Sequence, residues 1–151
     1  MNSESGPWYH ILLVEDNPGD VGLIRRALAG RCWRTLLHVT RDAMQALDFL
    51  CQCRPAGALP CPDLILVDLN LPKMDGCELL RRIRQDATLL ALPVIVISSS
   101  RAEADVLRSY ANGANCYVTK PLDLDQYLAV IGSVQQYWLA LAQFLRNTAN
   151  E

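Results

Sequence analysis

A doubly wound α/β domain built on five parallel strands is the fold the sequence predicts, and three observations carry that prediction. Five short runs of β-branched and apolar residues recur along the 151 residues. Segments with apolar residues at helical spacing separate them, so strand and helix alternate throughout. The central runs, ILLV, LILV and VIVI, are apolar at consecutive positions, as strands covered on both faces must be.

The first run, residues 10–14, is followed by Val21, Ile24 and Leu28 at steps of three and four. The second, residues 36–39, leads into Ala43, Ala46, Leu47 and Leu50. A Pro/Gly-rich loop, CQCRPAGALPCP, precedes the third run, residues 64–68, after which come Leu79, Leu80 and Ile83. The fourth, residues 94–98, precedes Leu107, Tyr110 and Ala111, and the fifth, residues 116–119, opens onto a long helical stretch from Leu124. One domain over residues 8–151 is expected, behind a flexible N-terminus at residues 1–7. The loop at 54–62 and the last few residues are the other loose places.

Composition narrows the function classes. A net charge of −2 without a Lys/Arg cluster gives no footprint for nucleic acid. The apolar runs are strand-sized, short of the ~20 residues that span a bilayer. The opening MNSESGPWYH lacks the basic start and apolar run of a secretory signal. A cytoplasmic protein without membrane or nucleic-acid partners is the expectation. Cys77 and Cys116 fall in apolar-periodic segments and read as core residues. Cys51, Cys53 and Cys61 cluster around the loop, yet no fourth ligand follows at a zinc-site spacing. With Cys32 they read as reduced structural thiols.

In such sheets the ligand site lies beyond the carboxyl ends of the strands, so the capping residues decide the chemistry. Glu15 and Asp16 end the first run, Asp68 the third, Ser98 the fourth, and Thr119-Lys120-Pro121 the fifth. Any one of these alone reads as a helix cap or surface residue. Together they gather three carboxylates, a hydroxyl and an ammonium at one end of a sheet. Mg²⁺, a hard ion that takes carboxylate and carbonyl oxygens and binds phosphate, suits such a cluster. Lys120 offers a compact charge able to reach a phosphoryl oxygen.

The segments LLVEDNPGD, LILVDLNLPKMDG, PVIVISSS and GANCYVTKPL resemble, in type, order and spacing, the response-regulator receiver domains of two-component signalling. The resemblance implies the strand order 2-1-3-4-5 and a phosphoacceptor signalling protein that catalyses only its own phosphorylation and dephosphorylation. It implies Asp68 as phosphoacceptor, and Mg²⁺ held by Asp16, Asp68 and the backbone carbonyl of Asn70, with Glu15 acting through water. Ser98 would bond the phosphoryl group, Lys120 would neutralise it, Tyr117 would fill the space Ser98 vacates, and Pro121 would follow a cis bond. Two positions depart from the family pattern: Ser98 stands where Thr is commoner, and Ala43 replaces a frequent glycine. The loop before LILVDLNLPK, the segment NCYVTKPLDLDQY and the WL-containing tail further resemble regulators paired with phytochrome kinases, which implies a phytochrome-type sensor histidine kinase as partner.

Competing readings meet specific obstacles. A haloacid-type phosphatase wants an acid two residues after its nucleophile, where Asn70 stands. A nucleotide-binding domain wants a glycine- or hydroxyl-rich loop after the first strand, where EDNPGDVG offers acids. A phosphorylation-independent interaction module of the same fold is the remaining alternative. The C-terminal stretch suggests a further partner. Residues 124–145 would make a helix of roughly 33 Å, longer than a strand of about 17–20 Å can cover. Tyr127, Val130, Val134, Tyr137, Leu141 and Phe144 alternate steps of three and four, the seam spacing of paired helices. A homodimer through that seam is expected.

Overall fold

The computed structural model describes residues 6–29, 33–53 and 59–149. The expectations for residues 1–5 and for Cys32 lie outside them, as does most of the loop at 54–62. The chain runs β1 (Trp8–Val14), α1 (Pro18–Leu28), β2 (Arg34–Thr40), α2 (Ala43–Gln52), β3 (Leu64–Val67), α3 (Gly76–Gln85), a 3₁₀ turn (Ala87–Leu89), β4 (Val94–Ser98), α4 (Glu103–Ala111), β5 (Cys116–Thr119) and α5 (Leu124–Ala149). The strands form one parallel sheet in the order β2-β1-β3-β4-β5, as the sequence predicts.

Alternation along the strands divides the core into two layers. Leu12, Val14, Ile65, Val67, Val94 and Val96 meet α2 and α3, while Ile11, Leu13, Leu64, Leu66, Ile95 and Ile97 meet α1 and α5. The central strands β1, β3 and β4 are thus covered on both faces, which is why their runs carry no polar alternation, while the edge strands β2 and β5 stay partly exposed. β1 and β2 are seven residues each, longer than the apolar runs alone suggest. Trp8 and Arg34 pair in register, and the Arg34 guanidinium lies 4.2 Å over the Trp8 ring, so a polar residue extends the ladder.

Short polar side chains start the helices. Asn17 accepts from the N–H groups of Gly19 and Asp20, Asp42 from Gln45, Asp75 from Glu78 and Asp123 from Gln126, each satisfying donors the first turn leaves open. Gly76 is a close-approach glycine: a Cβ there would stand 2.7 Å from the Asp68 carbonyl oxygen. The Arg84 guanidinium donates to the carbonyls of Gly113 and Leu92 and to Asn115 Oδ1. It thereby ties α3 to the entrances of β4 and β5.

At the amino ends of the strands the contacts are fastenings. Arg146 of α5 donates to Asp63 Oδ1 at 2.7 Å and to the Trp8 carbonyl, and lies 4.3 Å over the Tyr9 ring. Asp63 Oδ2 accepts from the His10 N–H at 2.8 Å. His10 Nδ1 and His38 Nε2 are 3.0 Å apart with ring centroids separated by 5.2 Å. Rings that far apart with nitrogens that close meet edge to edge, sharing one N–H between them.

Three expectations need correction. The α5 seam is divided: Tyr127 and Val134 are buried in the protein's own core, whereas Tyr137, Leu141 and Phe144 are exposed. Spacing fixes which residues share a helix face, but packing against α1 and the sheet turned part of this face inward. α5 also overshoots less than expected, because the longer β1 carries the sheet down to Arg146 and keeps Leu139 fully buried. No peptide bond among the described residues is cis, so the bond before Pro121 is trans. That is the lower X-Pro state by about 0.5–1 kcal/mol where the turn does not demand the other. By length and composition α5 does reach the size of a membrane span over Leu124–Thr148, although Tyr127, Ile131, Val134 and Leu139 serve the core.

Candidate functional site

The residues that immediately follow β1, β3 and β5 meet at one place, and a single ammonium joins them. Lys120 Nζ lies 2.9 Å from Asp68 Oδ2, 3.1 Å from Glu15 Oε2 and 2.9 Å from Asp20 Oδ2. The Lys120 N–H donates to the Ser98 carbonyl at 2.8 Å, which fixes where its side chain begins. The two oxygens of Asp68 are differentiated. Oδ1 accepts from the Asn70 N–H at 2.9 Å, and Oδ2 faces the ammonium. Asp68 and Glu15 are both buried, so their charges meet little solvent screening.

Burial raises the Glu15 carboxyl, and its neighbour Asp68 raises it further, to about 7. Burial by itself would lower the Lys120 ammonium. Hydrogen bonds to Asp20 and Asp68 outweigh that, and the net direction is upward. Glu15, Asp20 and Asp68 each present an oxygen within 4.8 Å of the others. Three hard oxygen donors against one resident cation leave the site over-supplied with negative charge, so the donor set fits a divalent cation.

Asp16 is exposed, turned outward where the chain enters the Asn17 cap, and stands outside this cluster. Glu15 takes the inward position because it continues β1 and accepts from both Lys120 and the Asn17 N–H. Ser98 is fully buried at the end of β4, its Oγ accepting from the Ser100 N–H at 3.1 Å. The half-buried Tyr117 donates its hydroxyl to the Ser100 carbonyl at 2.8 Å. Ser100 also donates to Asp105 in the first turn of α4, so the loop after Ser98 is tied to both α4 and β5. Asp20 was missed by sequence reading, and its one signal was an acid in the first turn of a helix.

Comparison with known proteins decides the family. The response regulator receiver domain family matches residues 11–132. The chain belongs to that family. It is 40% identical over 139 residues to the response regulator Rcp1 of Synechocystis, covering 92% of this chain and 95% of that protein. The phosphorylated cyanobacterial phytochrome response regulator RcpA superposes with a TM-score of 0.81 at 40% identity, covering 89% of this chain and 96% of that one. The Mn²⁺-bound form of Rcp1 superposes with a TM-score of 0.80 at 39% identity, covering 87% and 94%. Receiver domains are phosphoacceptor signalling proteins that bind divalent metal and partner with histidine kinases.

Proposed function

We propose that this receiver takes a phosphoryl group from the phosphohistidine of a phytochrome-type sensor kinase onto Asp68, in the presence of Mg²⁺, and thereby switches its protein contacts in the cytoplasm. The observation that carries this reading is the buried Asp68 carboxylate 2.9 Å from the Lys120 ammonium. The oxygen facing Lys120 attacks phosphorus, the P–N bond breaks as the P–O bond forms, and the imidazole leaves. The new phosphoryl oxygens then lie within reach of Lys120, and the Asn70 N–H keeps the other Asp68 oxygen in place. The bound cation supplies charge neutralisation for the transferring group. Asp68, the Asn70 carbonyl and Asp16 would hold it, with Glu15 through water. Asp16 is exposed and has no ion-pair partner among the described residues, so its carboxylate would have to turn inward to reach the ion. Ser98 turns its hydroxyl to the phosphoryl group and releases the Ser100 N–H, and Tyr117, already bonded to Ser100, follows.

Asp68→Asn keeps size and hydrogen bonding while removing the nucleophile, so labelling by kinase or by radiolabelled acetyl phosphate should vanish. Label remaining on Asp68→Asn would refute the assignment and move the phosphoacceptor to another residue, whereas a wild-type chain that takes no label would favour the phosphorylation-independent module.

The proposal includes a homodimer through the outer face of α5. Tyr137 is 66% exposed, Phe144 65% and Leu145 58%. Beside them a groove of about 530 Å³ runs between α5 and β5, lined by Cys116, Val130, Val134 and Trp138 among others. An apolar stripe of this size is a liability that a symmetric pair buries twice. Truncation is a poor test, since Leu139 and Arg146 hold the domain itself. Tyr137→Ser with Phe144→Ser should instead convert a sedimenting dimer to a folded monomer whose Tm no longer depends on protein concentration, and a wild-type chain monomeric at tens of micromolar, phosphorylated or not, would rule the dimer out.

A further inference from the structure

Three thiols around the loop that precedes β3 take no part in the phosphoryl site, and the fold brings two of them together. Cys53 closes α2: its N–H bonds the Phe49 carbonyl, and its buried thiol donates to the Leu50 carbonyl at 3.2 Å. Cys61 stands eight residues further on, exposed at the approach to β3. The chain is returned to α2 by the Leu59 N–H, which donates to the Gln52 carbonyl at 3.2 Å. Just past that bond, the Cys61 thiol meets the carbonyl oxygen of Cys53.

Covalent geometry makes that contact informative. In any rotamer a cysteine's Sγ stays within about 5 Å of its own carbonyl oxygen. A second sulfur in contact with that oxygen is therefore a side-chain rotation away from the range in which a disulfide forms. Cys51 supplies the contrast. It is exposed as well, but it lies in the last turn of α2, two residues from Cys53. Residues two apart do not share a helix face, and the buried face of α2 is that of Ala43, Ala46 and Leu50, with Cys53 at its end. Accessibility alone does not single out Cys61; its contact with Cys53 does.

We propose that Cys53 and Cys61 are a redox pair, in which a peroxide oxidises the exposed Cys61 and Cys53 resolves it as a disulfide that ties the end of α2 to the entrance of β3. The Cys61 sulfur attacks the peroxide, the O–O bond breaks, and a sulfenic acid forms as one water leaves. Cys53 turns about χ1 away from the Leu50 carbonyl, and its sulfur displaces the sulfenic oxygen as a second water. Two thiols and one hydrogen peroxide thus give one disulfide and two waters, the sulfurs oxidised and the peroxide reduced. In a cytoplasm that keeps thiols reduced, such a bond is a transient mark undone by thiol exchange. It closes a loop at the pole remote from Asp68, so it restrains the unfolded chain and acts apart from phosphoryl transfer.

Full-length protein treated with a small excess of hydrogen peroxide, alkylated and fragmented without reduction in a mass spectrometer, tests the pair. The expected product is a bond from Cys53 to Cys61 within one chain, two hydrogens lighter than the reduced form and reversed by dithiothreitol. Cys51→Ser should leave its yield unchanged. Cys61→Ser should abolish the bond, and with it a rise of several degrees in Tm that oxidation gives the wild type. Both substituted residues are exposed, so the core is intact in either variant. A bond from Cys51 to Cys61, a covalent dimer, or sulfinic acid accumulating on Cys61 while Cys53 stays reduced would overturn the pair, as would thiols that all survive the peroxide. A Cys53–Cys61 bond that leaves Tm unmoved would overturn the fastening of α2 to β3.

Discussion

The two ends of the sheet are built from the same ingredients in different proportions. At the amino ends, Asp63 sits between the Arg146 guanidinium and the His10 N–H, one acid to one cation. At the carboxyl ends, Glu15, Asp20 and Asp68 share the single ammonium of Lys120. The balanced end has its charge satisfied and acts as a fastening. The unbalanced end has a standing demand for more positive charge, and its Glu15 carboxyl is pushed up to about 7 by burial and by Asp68. Stoichiometry, rather than residue type, separates the reactive pole from the structural one.

Removing the shared cation should have the largest effect. Lys120→Ala leaves three neighbouring carboxylates without their counter-charge, and breaking a buried pair from one side costs about 3–5 kcal/mol. Thermal unfolding in metal-free buffer should register it, with Mg²⁺ recovering part of the loss. An unchanged Tm would mean that the carboxylates do not share that charge.

Removing an acid should have opposite signs at the two poles. Glu15→Gln relieves like-charge crowding and should raise Tm by about 2–4 °C per kcal/mol gained. Asp63→Ala strands Arg146 and the His10 N–H and should cost about 1–3 kcal/mol. Shifts of the same sign would break the distinction between the poles.

The smallest effect is a pH dependence at the amino end. Burial, and then the neighbouring His10, hold His38 below its ordinary value of 6.5. The unfolded chain therefore takes up the proton first, and stability, fully present above about 6.5, is lost as pH falls from there through the folded value. Tm measured from pH 7.5 down to 5 should decline less steeply in His38→Phe than in wild type. Parallel curves would remove His38 from the account.

Much of this was legible in the sequence because it is local. Apolar runs marked all five strands, and the residues that end them, Asp68, Ser98 and Lys120, marked the reactive pole. What escaped depends on tertiary placement. Asp20 is one of several acids near the N-terminus of a helix, and only the packing of α1 beside β5's end brings it to Lys120. Asp16 and Glu15 are adjacent in sequence, and nothing local says which turns inward. Tyr127 and Val134 share the spacing of Tyr137 and Phe144, yet a repeat carries no information about which part of a face meets its own sheet. Arg146 lies 138 residues from its partner Trp8, beyond the reach of any periodicity.

That last contact brings the two ends of the described stretch of chain to the same pole, the one remote from Asp68. A short bridge from just past α5 back to β1 would close the polypeptide into a ring. The ring would deny the unfolded chain some of its freedom and leave the phosphoryl-accepting pole untouched. Such a cyclised form should survive heating and exopeptidases better than the linear chain while accepting phosphate at the same rate.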